Sequence, residues 1–208
     1  MKAAATQLCL LPLSGLVAFP HCPPLRVGIS SPDNPQLSTV GLIHRRRDGR
    51  LAQVGTTAAV HGSGSAQVLE CEGVARFRVV KSTEKATADG TTLLLAQCEP
   101  FEDRAPTTTS EQEEEHGLHA AVWADIEQLL ALSDGHMPPH LRALRPGDGR
   151  SAAAFSLALA GSMDLSVGEA AALLACDSST DRLRKLKRVT EEASGLARAQ
   201  AALRSLSF

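Results

Sequence analysis

Tyrosine is absent from this chain, and aromatic residues of all kinds make up only 3% of it. Proteins that bind single-stranded nucleic acid stack the bases on aromatic side chains, so a base-stacking platform is nearly excluded. No apolar run reaches the roughly 18 residues of a membrane-spanning helix, so a membrane span is not expected. The five cysteines include no CxxC pair, the spacing typical of many zinc and redox sites.

No export signal is predicted from the first residues of this sequence. Met1–Gln7 carries one lysine and no long apolar run, unlike a secretory signal peptide. An odd number of cysteines without such a signal is typical of reduced thiols. We therefore expect a cytoplasmic protein. A location in a plastid or mitochondrion would require a transit peptide that this sequence does not include.

The net charge is only −2, so a generally basic nucleic-acid binder is not indicated. The charge is nevertheless unevenly placed. Nine acidic residues and a single base lie between Phe101 and Asp134, whereas seven bases and three acids follow from Ser178 onward. Charge runs of this kind usually form solvated helix faces, and here we expect two faces that attract each other.

The first half of the chain shows the alternation of β-strands. In Gln67–Val80 (QVLECEGVARFRVV) apolar and polar residues alternate, and Gly73 interrupts the rhythm. A glycine at such a place indicates a bulge or a close backbone approach. Together with the apolar run Gln53–Val60, this segment predicts a bent antiparallel hairpin from about Ala52 to Lys81.

Further apolar segments separated by turn residues predict more strands. They are Leu8–Phe19, which Pro12 and Ser14-Gly15 are expected to divide into a strand, a turn and a second short strand, then Leu25–Ile29, Ser38–His44 and Thr91–Glu99. About six strands with short connections indicate a barrel-like or folded sheet.

After Pro106 the apolar period changes to that of helices. Two capping boxes are predicted at helix starts, Ser110 with Glu113 and Ser166 with Glu169. The helical segments are Ser110–Ser133, Ala152–Ala160, Val167–Ala175 and a last helix that starts at Asp177 or Ser178. Strands precede helices, so the predicted fold class is α+β.

Four segments of the chain carry a family resemblance. They are Leu11–Pro20 (LPLSGLVAFP), Val54–Thr56 (VGT), Glu72–Val79 (EGVARFRV) and the helical stretch Phe155–Lys187. In this order they resemble the LON substrate-binding domain, the N-terminal domain of Lon proteases. The signature positions are Leu11, Pro12, Leu13, Phe19, Pro20, Val54, Gly55, Thr56, Glu72, Gly73, Arg76, Phe77 and Val79.

The resemblance implies a six-stranded, PUA-like pseudo-β-barrel over residues 8–104 and a C-terminal α-helical bundle over residues 110–206. The two parts would form one composite LON domain. The chain departs from the family in one wall of the barrel. Only Pro24–Val27 matches the usual "PLhIFEpRY" strand, and the loop Ser30–Gln36 replaces the helix that follows it. We expect the groove beside that wall to be reduced or differently shaped.

The function implied by the resemblance is a non-enzymatic module that binds unfolded or client polypeptides in protein quality control, without a cofactor. Lon proteases continue into an ATPase and a protease domain. This sequence contains no GxxxxGK[ST] phosphate loop, so we expect neither activity from it. An apolar groove or an exposed strand edge would be the physical route to a polypeptide.

Two alternatives from other functional classes stay open. In cereblon-like proteins LON domains act as adaptors that deliver clients to a ubiquitin ligase, and a separate protease is a comparable partner. Val189, Leu196 and Leu203, spaced seven apart on the last helix, would supply a docking stripe. The other alternative is RNA binding, because the LON barrel resembles the RNA-binding PUA domain. The compact basic turn of Arg45, Arg46, Arg47 and Arg50 would then contact phosphates.

Neither a catalytic nucleophile nor a reactive thiol is predicted. The residues around Ser151 have a passing likeness to the Lon nucleophile motif, but Lys185 and Lys187 lie on a charged helix and should stay solvated. Ser151 is therefore interpreted as a helix N-cap. Cys71 and Cys98 fall on predicted strands and are interpreted as small core residues.

A metal site is possible by spacing alone. His116 and His119 lie three apart at a helix start, and His136 or His140 would have to supply a third ligand. We interpret these histidines as solvated surface residues and expect no metal.

Overall fold

The structure, a computed structural model, describes residues 5–29, 38–61, 68–86, 90, 92–132 and 151–206, apart from the side chains at 201 and 204–206. In these residues six strands precede four helices. The strands are β1 (Thr6–Ser14), β2 (Leu25–Gly28), β3 (Thr39–Arg45), β4 (Val54–Val60), β5 (Val68–Ala86) and β6 (Thr92–Pro100). The helices are α1 (Thr109–Leu132), α2 (Ala152–Ser162), α3 (Val167–Leu174) and α4 (Ser179–Leu206). The predicted α+β class is confirmed. None of the described helices is long and apolar enough to cross a membrane.

The chain divides into two compact units. The strand unit, Met1–Glu102 with Met163–Ala175, contains β1 to β6 and α3. The helical unit, Asp103–Ser162 with Cys176–Phe208, contains α1, α2 and α4. Helix α3 thus groups with the strands, although it follows α1 and α2 in sequence. The arrangement of residues 8–104 and 110–206 as one composite domain stays a prediction.

The strands form one sheet in the order β2-β5-β4-β3-β1-β6, and β5 also pairs with β6. Strands β5, β4, β3, β1 and β6 therefore make a closed ring, and β2 extends it at the start of β5. The ring closes because β5 is 19 residues long and pairs with β2, β4 and β6 along its length. All neighbours are antiparallel except β1 and β3, which run parallel.

The predicted bent hairpin is formed by β4 and β5. Their register shifts beside Gly73, so that Val74 is an extra residue on β5, which is a β-bulge. A second shift, against β6, makes Val80 an extra residue as well. The exposed fractions of these two valines are 52% and 55%, so both bulges place an apolar side chain in solvent.

Apolar side chains pack on both faces of the sheet. One cluster consists of Leu8, Leu10, Ile43, Phe77, Ala96 and Cys98. The other consists of Leu13, Val40, Leu42, Ala58, Leu69 and Cys71. Strand β3 contributes to both because neighbouring residues of a strand point to opposite faces. In β5, Cys71 and Phe77 are an even number of residues apart yet belong to different clusters, since the bulge between them adds one residue.

Strand β1 differs from its prediction. The segment Leu8–Phe19 was expected to contain two strands, but it has one, and residues 16–19 have no strand. Pro12 lies inside β1 without breaking it. Strand β6 pairs only with Thr6–Leu10 of β1, so beyond Leu10 the one described ladder neighbour of β1 is β3. The edge of β1 that faces away from β3 is therefore unpaired at Pro12, and a missing N–H is tolerated there.

Helix α1 begins earlier than predicted. Its capping box is Thr108 with Glu111, not Ser110 with Glu113. The Thr108 hydroxyl accepts the Glu111 N–H at 3.2 Å, and the Glu111 carboxylate accepts the Thr108 N–H at 3.3 Å. Both pairs have the same spacing, so the pattern alone could not choose between them. The Glu111 carboxylate also accepts the Thr107 N–H at 2.6 Å, and these hydrogen bonds lower its pKa.

The starts of α3 and α4 agree with the sequence. Ser166 and Glu169 form the predicted capping box of α3. Of the two residues proposed to start α4, Ser178 is the cap, because its hydroxyl accepts the Asp181 N–H at 3.1 Å. The predicted loop Ser30–Gln36 lies outside the described residues.

The oppositely charged faces expected from the sequence meet inside the helical unit. Arg184 on α4 donates from Nε to the Glu114 carboxylate on α1 at 3.0 Å. Lys187 lies 2.7 Å from the Asp125 carboxylate. The predicted attraction between the two faces is confirmed.

Candidate functional site

Several signature residues form one packing arrangement in the strand unit. The Thr56 hydroxyl donates to the Ala18 carbonyl at 2.7 Å, and the His21 N–H donates to the Gly73 carbonyl at 3.0 Å. A Cβ at Gly73 would lie 2.4 Å from the Phe19 carbonyl oxygen, so only glycine fits there. Residues 18–21 are therefore held against β4 and β5, and these signature positions serve the fold.

The other signature residues also lie in or beside the sheet. A Cβ at Gly55 would lie 2.5 Å from the Phe77 ring and 2.6 Å from the Leu42 carbonyl oxygen. Leu13, Pro20 and Val54 are buried, whereas Leu11, Pro12 and Val79 are half-buried. Glu72 is exposed, and its carboxylate lies 2.7 Å from His61 Nε2.

Arg76 connects β5 to α3 within the strand unit. Its side chain is buried, and Nη1 donates to the Leu174 carbonyl at 2.8 Å, in the last turn of α3. The guanidinium also lies 4.6 Å from the centre of the Phe101 ring. A cation is favourable at a helix C-terminus, where free carbonyls carry partial negative charge. Arg76 thus fixes the end of α3 beside the sheet.

A cavity of about 510 Å³ lies beside α3 in the strand unit. Its apolar lining, named here the floor, consists of Gly168 and small or medium side chains: Val17, Ala52, Val54, Val167, Ala171, Ala172, Leu174 and Ala175. Its polar lining, named here the rim, consists of His44, Arg46, Gln53 and Arg78. Ligand pockets of roughly 300–1,000 Å³ commonly combine an apolar lining with a few polar groups. The cavity has the size and composition of a binding site.

The rim is cationic. The Arg78 guanidinium stacks on the Phe101 ring at 4.4 Å, and the Arg46 N–H donates to the Arg50 carbonyl at 2.8 Å. His44 Nδ1 lies 3.2 Å from the Leu13 carbonyl oxygen, which can only accept, so Nδ1 carries the hydrogen. No carboxylate is among the lining residues. Within the described part of the chain, neither arginine of the rim forms a salt bridge.

Only one arginine of the predicted basic turn lines this cavity. Arg46 belongs to the rim, whereas Arg45, Arg47 and Arg50 lie on the exposed turn. The Arg50 side chain lies 3.9 Å from Asp48, with both groups in solvent. RNA contact by this turn stays a prediction.

Ser151 has the capping role that the sequence predicted. Its hydroxyl accepts the Ala154 N–H at 3.2 Å at the start of α2. Lys187 is held by Asp125 at 2.7 Å and by Glu191 at 3.1 Å. The hydrogen bond to Asp125, followed by that to Glu191, raises the pKa of Lys187, so this lysine stays charged and is unsuited to act as a base.

His116 and His119 were interpreted as solvated surface residues. This is right for His116, which is exposed, and wrong for His119. The His119 ring lies 4.1 Å from the Phe155 ring, and its Nε2 atom is buried without a hydrogen-bond partner in the described residues. Among those residues no group of three or more histidine, cysteine or acidic side chains could hold a metal. His136 and His140 lie outside them.

The core role of Cys71 and Cys98 is confirmed. Both side chains are buried in the sheet. Burial raises the pKa of both thiols, that of Cys98 to about 11. A protonated, buried thiol is a poor nucleophile.

The cavity itself was missed from the sequence. It depends on α3 lying beside the ends of β3 and β4, which no local pattern encodes. One available signal was the group of alanines at the end of α3, Ala171 and Ala172 in the helix and Ala175 directly after it, because small side chains leave space beside a helix.

Solved structures of known proteins share this fold. The N-terminal domain of the Mycobacterium avium complex Lon protease matches with a TM-score of 0.64 and 14% identity, covering 89% of this chain and 98% of that one. A Lon N-terminal domain protein from Xanthomonas campestris matches with a TM-score of 0.56 and 24% identity, covering 87% and 96%. No family model and no curated protein matches the sequence. The fold implied by the sequence resemblance is confirmed.

Proposed function

We propose that this chain, which has the fold of Lon N-terminal domains, is a non-enzymatic module that binds exposed segments of unfolded or client polypeptides in protein quality control. The observation that carries the proposal is the cavity beside α3, about 510 Å³ in volume, with its apolar floor and cationic rim. The fold similarity and the sequence resemblance to Lon substrate-binding domains support the same function.

The floor suits an apolar side chain of a bound polypeptide. Four of its side chains are alanine, and small side chains leave room for a larger one from the ligand. Full burial of a leucine or phenylalanine side chain contributes about 1.5–3 kcal/mol. Such sites recognise the exposed core residues of an unfolded chain, which a folded protein keeps inside.

The lining supports binding more than covalent chemistry. Serine, cysteine, lysine and carboxylate side chains are all missing from the residues that line the cavity. These are the usual nucleophiles and, with histidine, the usual acids and bases. The one titratable ring, His44, is positioned by the Leu13 carbonyl.

The test is binding of the purified protein to a reduced, unfolded model polypeptide, measured by titration calorimetry across a salt series. We expect micromolar affinity that persists at high salt, because apolar contacts are not screened. Ala172→Trp fills the cavity and should weaken binding at least tenfold. Ala120→Trp, an exposed alanine on α1, is the matched control. Absence of binding, or equal binding by both variants, contradicts the proposal.

Single-stranded RNA is the second ligand in the same series. RNA binding that disappears with salt, and in a variant with alanine at Arg45, Arg46 and Arg47, would assign the function to the basic turn instead.

The adaptor function has one observation in its favour. Leu196 and Leu203 on α4 are 68% and 64% exposed, as a docking stripe requires, although Val189 is half-buried. Leu196→Asp should then abolish association with a purified protease or ubiquitin-ligase component and leave polypeptide binding unchanged. Association that survives this change would contradict the adaptor function.

A further inference from the structure

We infer that the cavity beside α3 takes the carboxyl end of a polypeptide, with the terminal carboxylate at the rim and the apolar last side chain on the floor. This inference rests on the proposed function and names the part of the polypeptide that is bound. Its basis is the cationic rim, which lies directly beside the apolar floor.

The sheet register produces this proximity. Arg78 of the rim is the cross-strand partner of Val54 of the floor, since their Cα atoms are paired in the β4–β5 ladder. The Ala52 N–H of the floor donates to the carbonyl of His44 of the rim at 2.9 Å. Cross-strand partners have side chains about 5 Å apart. Cationic and apolar groups are therefore neighbours in this cavity.

Because the cationic rim lies directly beside the apolar floor, the carboxyl end of a chain fits the cavity better than an internal acidic residue does. The last residue of a polypeptide carries its carboxylate and its side chain on the same Cα atom. An internal aspartate or glutamate places its carboxylate on the side chain itself, so the apolar group must come from a different residue. The rim can therefore bind the carboxylate of a terminal residue while the floor contacts the side chain of that same residue.

The charges around the cavity favour an anion. Arg46 and Arg78 face no carboxylate among the lining residues, and Glu99, the cross-strand partner of Arg78 on β6, lies outside that lining. Helix α3 ends at the cavity, and its last carbonyls would repel a carboxylate through the helix dipole. Arg76 donates to the Leu174 carbonyl at 2.8 Å and so offsets that negative end.

Arg78, one of the two arginines of the rim, is also positioned in advance. Phe101 stacks with Arg78 at 4.4 Å and with Arg76 at 4.6 Å, which restricts the Arg78 side chain. An arginine fixed before binding loses less side-chain entropy when it pairs with a carboxylate. Arginine also matches the two carboxylate oxygens with two parallel N–H donors.

The test compares three acetylated, fluorescently labelled peptides on the whole protein by anisotropy. The first ends in Ala-Val-Leu with a free carboxylate, the second is its C-terminal amide, and the third is the amide with an internal glutamate. We expect the free carboxylate to bind about tenfold more tightly than the amide, which corresponds to roughly 1.4 kcal/mol. The difference should shrink as salt is raised.

Variants of the turn show whether the rim is responsible. Arg46→Glu should reverse the preference, so that the amide binds more tightly than the carboxylate. A reversal cannot come from general loss of structure. Arg47→Glu changes the next residue of the same turn, outside the cavity lining, and should keep the preference.

The outcomes separate this inference from the function it rests on. If acid and amide bind equally, or if the internal glutamate restores binding of the amide, recognition of the carboxyl end is overturned while polypeptide binding stands. If neither the peptides nor the unfolded polypeptide binds, both are overturned.

Discussion

The two units of this molecule differ in what they bury. The strand unit buries apolar side chains on both faces of a closed sheet, with glycines where backbones approach closely. The helical unit buries a complete arginine, Arg182, whose exposed fraction is 0%. Each interior also holds the other kind of group, since Arg76 is buried in the strand unit and Phe155 and Leu186 are buried in the helical unit. The glycine contacts nevertheless depend on shape, whereas the contacts of Arg182 depend on charge. Changes of shape and changes of charge should therefore affect the two units differently.

The contacts of Arg182 connect three parts of the helical unit. Its Nε donates to the Ser156 hydroxyl on α2 at 2.9 Å. Its Nη1 donates at 3.0 Å both to the Asp103 carboxylate and to the Cys176 carbonyl. Asp103 precedes α1, and Cys176 precedes α4. A buried ion pair is costly to break because the remaining charge stays out of water.

Arg182→Met should cause the largest loss of stability. The methionine fills part of the space but leaves the Asp103 carboxylate, which is only 10% exposed, without its guanidinium. We expect the free energy of unfolding to fall by about 3–5 kcal/mol. The single tryptophan, Trp123, is buried in the helical unit, so urea unfolding followed by its fluorescence measures the change.

The control for this variant is Arg188→Met, an exposed base on the same helix, which should change stability by no more than about 0.5 kcal/mol. Equal effects of the two variants would show that the buried contacts of Arg182 are not what stabilises the helical unit.

Gly73→Ala is the corresponding change of shape in the strand unit. The new Cβ would meet the Phe19 carbonyl oxygen at 2.4 Å, and a backbone atom cannot move aside as a side chain can. Overpacking of this kind costs about 1–3 kcal/mol. Thermal unfolding followed by circular dichroism should show the loss. Gly168→Ala is the control, because no atom lies within 4 Å of a Cβ there. A neutral Gly73→Ala would contradict the close approach.

The strand unit was the more predictable of the two from sequence. Strands β4 and β5, the bulge beside Gly73 and the core role of Cys71 follow from alternation with period two, because one face of each segment is buried. The parallel pairing of β1 with β3 was not predicted, since pairing partners distant in sequence leave no local signal. The break predicted at Pro12 was wrong. Proline breaks a strand only where its missing N–H is needed for pairing, and β6 does not pair with β1 beyond Leu10.

The interior of the helical unit and the cavity were not predictable in the same way. Arg182 lies among charged residues of α4, so its pattern is that of a solvated face, and only the positions of Asp103 and Ser156 make it an interior residue. The cavity brings Arg46 and Val54 beside α3, more than a hundred residues later in the chain. Spatial neighbours of this kind are set by the fold and not by spacing.

His119→Phe should raise the stability of the helical unit. The phenylalanine keeps the ring contact with Phe155 and removes a buried nitrogen that has no partner in the described residues. We expect the free energy of unfolding to rise by about 1 kcal/mol. This is the lower end of the cost of a buried polar atom without a partner, because the His119 ring is only half-buried. Tryptophan fluorescence during urea unfolding at pH 7.5 measures it. A loss of stability would show that the histidine makes a favourable contact.

The same variant should reduce the sensitivity to acid. Burial, followed by the charge of His116, lowers the pKa of His119, whereas Glu115 raises it. The unfolded chain then binds a proton more readily than the folded one. The contribution of His119 to stability is complete above its ordinary pKa near 6.5 and is lost as the pH falls towards the folded value. His116→Phe removes only the smaller of the two causes that lower this pKa, so it should reduce the sensitivity to acid less than His119→Phe does.

Gly117→Ala should give the smallest effect and the opposite sign to Gly73→Ala. Gly117 lies inside α1, and no atom is within 4 Å of an added Cβ. Alanine restricts the unfolded chain more than glycine does, so a gain of about 0.5–1 kcal/mol is expected, measured by the same tryptophan fluorescence. If replacing glycine by alanine destabilises the protein at position 73 and stabilises it at position 117, the difference must come from the space beside each glycine. Two losses of equal size would instead mean that the helical unit is as closely packed as the sheet, and the contrast between the units would then rest on Arg182 alone.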